Sequence, residues 1–338
     1  MASPSDKKLT KAPGKAVPYV LESGAGDAYL LVGQVGRVLA GTKETGGKLA
    51  VLTLVGPAGR PVPLHFHEAE HEVFLCTRGK MKLWAGDQCR VLTPGDFGSV
   101  PAGTIHSYQL LANHSSFMGP ITPAGWERFF EFNGTPYDGP GYPPVDPAPP
   151  PFEKFKRSEV EFHMHFRPDL KYAEPSVGDD NGLPGQRSPY FIQAGLGERF
   201  LAFGQISTVL STSDESNGEL GMAIIEGPKG AGVPPHRHAK TAETIFCLDG
   251  ILHLTLDGTG FDLSPGDFAN IPAGCVHSHT MGANVTRFCA MNGPAGIEAL
   301  FARAGVEWEH SIFPAEPPPK VDTAALASKL AGLDIWFV

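Results

Sequence analysis

The sequence predicts an all-β protein made of two tandem β barrels of jelly-roll type with short flanking helices. Two observations carry that prediction. Gly (41) and Pro (32) are abundant among the 338 residues and punctuate short runs of aromatic and β-branched side chains, the pattern of many strands closed by turns. The chain matches itself without a gap at an offset of 171 residues. That period is far longer than a solenoid repeat, so it marks one duplicated domain, and either half is large enough to bury its own core.

The match is detailed. Pro18-Tyr19 falls on Pro189-Tyr190, Gly33-Gln34 on Gly204-Gln205, and Gly56-Pro57 on Gly227-Pro228. Pro123-Ala-Gly125 falls on Pro294-Ala-Gly296, and Phe130 on Phe301. The repeat therefore runs at least from Pro18 to Phe130. It divides the chain into an N-terminal domain at 1–135, a Pro-rich linker at 136–187 and a C-terminal domain at 188–338 that ends in a helix.

In the first copy the expected strands are 29–39, 49–55, 72–76, 80–85, 88–92, 97–100 and 107–111, with Gly86-Asp87 and Pro94-Gly95 as turns. Apolar residues at helical spacing predict helices at 124–132 and 295–304. The linker opens with a Pro-rich run at 136–151, expected to be extended in polyproline-like form. A short helical turn is expected at 152–160, and the linker reads equally as a lid or as a tether. A last helix is expected at 322–331, with Ile335-Trp336-Phe337 as a hydrophobic anchor.

Composition removes several function classes. The formal net charge is −9 and no basic patch stands out, which argues against a nucleic-acid partner. Lys154, Lys156 and Arg157 read as a solvated face. The polar start of the chain is unlike a secretory signal, and no apolar run approaches the ~18 residues of a membrane helix. Cys76, Cys89, Cys247, Cys275 and Cys289 are odd in number and lack a CxxC spacing, so buried free thiols in a reducing, cytoplasmic setting are expected. The sequons at Asn113, Asn133 and Asn284 are read as chance matches.

The chemistry lies in the repeat. In a strand, residues two apart share a face, so His65 and His67 project together. Glu72 follows after a short turn, and His106, just beyond the Pro101-Ala-Gly103 turn, supplies a fourth donor. The same set recurs as His236, His238, Glu243 and His277. Three imidazoles and a carboxylate suit a divalent first-row metal such as iron, copper, nickel, cobalt or manganese, one per domain. Zinc fits the donors but has no redox chemistry. Four protein donors leave one or two positions for a substrate oxygen, O2 or water.

These stretches resemble the two cupin motifs, G(x)5HxH(x)4E(x)6G and G(x)5PxG(x)2H. The first copy fits at Gly59, His65, His67, Glu72, Gly79, Gly95, Pro101, Gly103 and His106. The second fits at Gly230, His236, His238, Glu243, Gly250, Gly266, Pro272, Gly274 and His277. The resemblance implies a bicupin, two double-stranded β-helix barrels with a metal in each. The run from His65 through Ala85, with Gly95–Pro101, resembles the first cupin of fungal quercetin 2,3-dioxygenases, which cleave the heterocyclic ring of flavonols with O2 and release carbon monoxide. It implies His65, His67 and His106 as ligands and Glu72 as both ligand and catalytic base. In the fungal enzymes the second cupin tends to have lost its metal, whereas here all four donors remain.

Phe66, Phe74, Trp84, Phe97, Tyr108, Phe117 and Met118 surround the motif. Phe74, Phe97, Tyr108, Phe117 and Met118 are the expected substrate-binding residues for an aromatic ligand. Tyr108 and its repeat partner His279 lie two residues past a ligand and are expected to pack or to back the site. His71 is expected to turn away from the metal, at the surface or behind the ligands. His163-Met-His165 is a further HxH, without a Glu at cupin spacing, and is not expected to bind metal. The expected partners are an aromatic small molecule and O2, with neither nucleic acid nor membrane; a homodimer is compatible with the sequence. The rival readings are ring cleavage of another phenolic or polyketide-like aromatic, oxalate decarboxylation, and metal-retaining binding without catalysis.

Overall fold

The computed structural model describes residues 7–144, 151–314 and 322–338. The chain forms two compact units, each a cupin barrel. One comprises Gly26–Thr42 and Leu49–Leu196; the other comprises Met1–Ala25, Lys43–Lys48 and Gly197–Val338. The repeat in the sequence and the compact units are thus composed differently, because short N-terminal stretches belong with the second barrel.

The barrel carrying the first motif has two antiparallel sheets. The larger, of eight strands among the described residues, runs Thr135–Pro136, Asp27–Leu31, Gln34–Ala40, Ala50–Gly56, Ser115–Thr122, His71–Arg78, Phe97–Val100 and Tyr190–Ile192. The smaller, of five, runs Met164–Phe166, His65–His67, His106–Leu110, Met81–Ala85 and Gln88–Leu92. Inward residues of both sheets, among them Leu52, Phe74, Leu83, Leu110 and Phe117, form one core. The second barrel repeats the plan. Its larger sheet ends at Tyr19–Leu21, which pairs with Phe268–Ile271, and its smaller sheet ends at Trp336–Phe337, which pairs with Gly232–Arg237.

Several expected elements differ in detail. The strand expected at 29–39 is a hairpin. Val32 (φ 53°) and Gly33 (φ 76°) take the two left-handed positions of a tight turn, and Phe203 (φ 53°) and Gly204 (φ 72°) repeat it. Ser115–Thr122 is a central strand that its sequence conceals, because Gly119 and Pro120 sit inside it. Its ladder to His71–Arg78 skips those two residues, and a Cβ on Gly119 would stand 3.0 Å from the Val73 carbonyl. The helices expected at 124–132 and 295–304 are shorter, Arg128–Asn133 and Ala299–Ala304. Gly125 (φ 134°) and Gly296 (φ 132°) hold the preceding residues in a turn.

The late linker is part of the barrel. Helix Phe152–Glu161 is followed by strand Met164–Phe166, which pairs with His65–His67. At the repeat offset stand helix Thr323–Lys329 and strand Trp336–Phe337. The duplication therefore extends to Phe166 and Phe337. Of the Pro-rich run expected at 136–151, residues 145–150 lie outside the described residues. Ile335 is buried and Phe337 packs on the core as an anchor would, while Trp336 points outward. All five cysteines are buried and free. Among the described residues no helix is long and apolar enough to cross a membrane.

Candidate metal centres

Among the described residues, two groups of metal-binding side chains converge: His65, His67, Glu72 and His106, and His236, His238, Glu243 and His277. Within each group the donor atoms all lie within 4.8 Å of one another. Sheet geometry does the gathering. His106 stands opposite His65 in register, and His65 and His67 share the inward face of one short strand. Glu72 is in phase with Phe74 and Cys76, two residues of the interior core.

Backbone carbonyls fix the rings. His65 Nδ1 lies 2.8 Å from the Pro63 carbonyl and His106 Nδ1 2.9 Å from that of Thr104. Their counterparts His236 and His277 meet the Pro234 and Cys275 carbonyls at 2.8 and 3.1 Å. A ring that donates Nδ1–H outward turns Nε2 toward the centre, as metal ligation requires. Glu72 Oε2 lies 2.9 Å from His106 Nε2 and 3.7 Å from His67 Nε2. Glu243 Oε2 lies 3.0 Å from His277 Nε2 and 3.2 Å from His238 Nε2.

The electrostatics suit a cation. Burial, reinforced by the neighbouring imidazoles, holds His65 and His236 well below the usual histidine range. Burial pushes the Glu72 and Glu243 carboxyls up, but the nearby imidazoles, His106 and His67 for Glu72 and His238 and His277 for Glu243, outweigh it and hold both well below the carboxylate range. The donor set includes neutral imidazole nitrogens and an ionised carboxylate. His67 gives a further sign: its Nδ1 and Nε2 are buried with no hydrogen-bond partner, a costly state unless a ligand completes it. The residues present fit a divalent metal in each barrel.

The expected pocket residues separate by strand parity. Phe74, Tyr108 and Phe117 face the interior of the first barrel. Phe74 lies 5.2 Å from Phe117 and 6.4 Å from the His106 ring, and Tyr108 lies 5.0 Å from Phe117. The Tyr108 hydroxyl donates to Gln34 Oε1 at 3.0 Å. Phe97 and Met118 do not join them. Gly98 and Val100 take the inward positions, so Phe97 turns outward onto Tyr190. Met118 follows inward Phe117 and so faces the other way. Trp84 and Phe66 also lie outside, against Tyr172 and His165.

His71 turns away from the donors, as alternation requires, but it is buried rather than at the surface; its Nε2 lies 2.7 Å from Ser99 Oγ. His163 and His165 lie at 3.9 and 2.6 Å from the exposed Glu68 carboxylate and join neither cluster. The sequence does not single out Trp126, whose ring meets His67 edge-on at 4.9 Å and stacks on Phe129 at 4.7 Å. The repeated Pro-Ala-Gly turn just before Trp126 and Ile297 was the available signal. In the second barrel a cavity of about 40 Å³ lies against Glu243, His236 and His277.

Two jelly-roll barrels, each with three histidines and a glutamate at the centre, define a bicupin metalloenzyme. Residues 51–115 and 223–286 each match the model of the cupin domain. The chain is 31% identical over 306 residues to a quercetin 2,3-dioxygenase of Bacillus subtilis, covering 90% of this chain and 91% of that protein. It is 25% identical over 284 residues to a quercetin 2,3-dioxygenase of Aspergillus japonicus, covering 75% of this chain and 81% of that protein. Among solved structures, an oxalate decarboxylase from Bacillus subtilis at pH 4.6 has a TM-score of 0.52 at 18% identity, covering 80% of this chain and 75% of the other. The chain belongs to the quercetin 2,3-dioxygenase family of bicupins and is an oxidoreductase of the dioxygenase type.

Proposed function

We propose that the protein cleaves the heterocyclic ring of a flavonol such as quercetin with O2 and releases carbon monoxide, with Glu72 as the base. The observation that carries the reading is the kinship over nine-tenths of the chain to a quercetin 2,3-dioxygenase. The site adds chemical support, since the Glu72 carboxylate stands among three imidazoles below an aromatic wall of Phe74, Tyr108 and Phe117.

When bound, the metal supplies Lewis acidity that makes a substrate hydroxyl a better acid, and a path for electrons between the flavonol and O2. Glu72, held ionised by His106 and His67, accepts the hydroxyl proton on a carboxylate oxygen. The transfer needs the hydroxyl seated within hydrogen-bond reach of that oxygen. Loss of that proton leaves the flavonol electron-rich enough to react with O2. His65, His67 and His106 hold the centre from two strands, and Phe74, Phe117 and Trp126 keep water from its inner side.

The fold similarity to oxalate decarboxylase does not favour oxalate as substrate. A dicarboxylate calls for an arginine beside the metal, and the described residues lining the cavity at Glu243 include neither Arg nor Lys. The test is to load the protein with metal, add quercetin under air, and follow the flavonol absorbance and the headspace gas. Loss of the flavonol band with matching carbon monoxide supports the proposal. Full metal occupancy with an unchanged flavonol spectrum rejects it.

A further inference from the structure

The two barrels share their ligands but not their linings. At the repeat offset, Leu52, Trp126 and Phe129 of the first barrel become Ala223, Ile297 and Leu300, each smaller. Ile121 and Tyr108 become Asn292 and His279, each more polar, and Gly36 becomes Ser207. All six second-barrel residues line the cavity that also touches Glu243.

Ser207 is the informative exchange. It is fully buried, lines the cavity, and its Oγ has no hydrogen-bond partner. It lies on strand Gln205–Ser211 in phase with Gln205, whose Oε1 lies 2.8 Å from His279 Nε2 and whose Nε2 is also buried without a partner. A buried hydroxyl left unpaired in a cavity that also presents a carboxylate is a donor awaiting an acceptor. The first barrel has no counterpart: a Cβ on Gly36 would come within 2.6 Å of the Phe130 ring, so even the first atom of a serine side chain lacks room there.

We propose that Ser207 is a specificity-determining residue of the second barrel. It hydrogen-bonds an oxygen of the substrate distinct from the one that Glu243 meets. The second centre would then select a polyhydroxylated ligand, one hydroxyl richer than the first centre reads. The inference rests on the flavonol reading above only for the choice of probes.

The experiment is an anaerobic titration of the metal-loaded protein with flavonols of falling hydroxyl number: quercetin (five), kaempferol (four), galangin (three) and 3-hydroxyflavone (one). It is repeated with Ser207→Ala and Ser207→Thr. Because Ser207 lies in one barrel only, any change in the affinity ratio between successive ligands reports this cavity, wherever else the ligand binds. We expect one step of the series to cost about tenfold in Kd for the native protein and for Ser207→Thr, and to cost nothing for Ser207→Ala. The same ratio at every step in all three proteins overturns the proposal. Turnover is absent under these conditions, so the flavonol-cleavage reading can fail under air while the discrimination at Ser207 stands.

Discussion

His238 Nδ1 lies 2.6 Å from the backbone carbonyl of Asp334, so the end of the chain sets the tautomer of a metal-site histidine. The Asp334 carboxylate accepts hydrogen bonds from the backbone N–H groups of Ala239, Lys240 and Thr241 and from the Thr241 hydroxyl. In the first barrel the residue at the same repeat position is His163. Its carbonyl accepts the Glu68 N–H at 3.1 Å, and His67 Nδ1 has no partner. The two centres hold the second histidine of the HxH pair differently.

Asp334→Ala removes the clamp that places that carbonyl. Metal affinity of the second centre should fall about 10- to 100-fold, the range for loss of a group that orients a ligating histidine. Metal content after graded chelator competition checks this: the variant should drop to about half occupancy at a chelator concentration that leaves the parent full. Equal retention in both proteins would mean that His238 is held by other contacts.

Trp126 sits between His67 and Phe129 and is almost fully buried. Trp126→Ala should destabilise the first barrel by about 3–5 kcal/mol, the usual cost of deleting a large core aromatic. Urea unfolding followed by fluorescence and by circular dichroism measures it. A loss below about 1 kcal/mol would show that the neighbouring rings collapse into the gap.

The five cysteines should be silent in the folded protein. Burial pushes the thiols of Cys76, Cys247 and Cys275 up to about 12 and that of Cys89 to about 11, and Cys289 moves in the same direction. Only the thiolate reacts. Iodoacetamide at pH 8 should label none of them natively and all five after denaturation, as read by intact mass. Rapid native labelling at any one would contradict its placement.

His71 links stability to pH. Burial, with the Arg187 charge adding to it and Glu72 partly offsetting it, pushes this imidazole down to about 4. In the unfolded chain it titrates near 6.5. The unfolded state therefore takes up the proton first as pH falls, and stability present above about pH 6.5 is lost progressively down to about 4. The full term is on the order of 3 kcal/mol. His71→Gln should lose less stability than the parent between pH 7 and 4.5 in matched denaturant titrations. Parallel losses would assign the acid sensitivity to other groups.

The metal ligands were legible because their spacing is rigid, with one strand, one turn and one register bringing four donors together. The barrels were legible because Gly and Pro punctuation survives the duplication. What escaped was governed by parity and by three-dimensional neighbours. Phe97 and Phe74 look alike in the sequence, yet one residue of phase puts Phe97 against Tyr190 and Phe74 beside the His106 ring. Gly119 and Pro120 disguised a central strand. The extension of the repeat through the linker was hidden because, between 152–166 and 323–337, only Phe166 and Phe337 are identical. Ser207 carried no local signal at all, since its meaning comes from the cavity it faces.

Under the proposed function Glu72 is the base of an O2-dependent flavonol cleavage. The most direct test measures O2 uptake and carbon monoxide release together, with quercetin, for the parent, Glu72→Gln and Glu72→Gln/Glu243→Gln, each with its metal content determined. The parent should release one carbon monoxide per O2 consumed. Glu72→Gln should lose turnover at the first centre, and the double variant should fall by about 10²- to 10⁴-fold, the contribution of a general base. Carbon monoxide release at the parental rate from a metal-replete double variant would contradict the account.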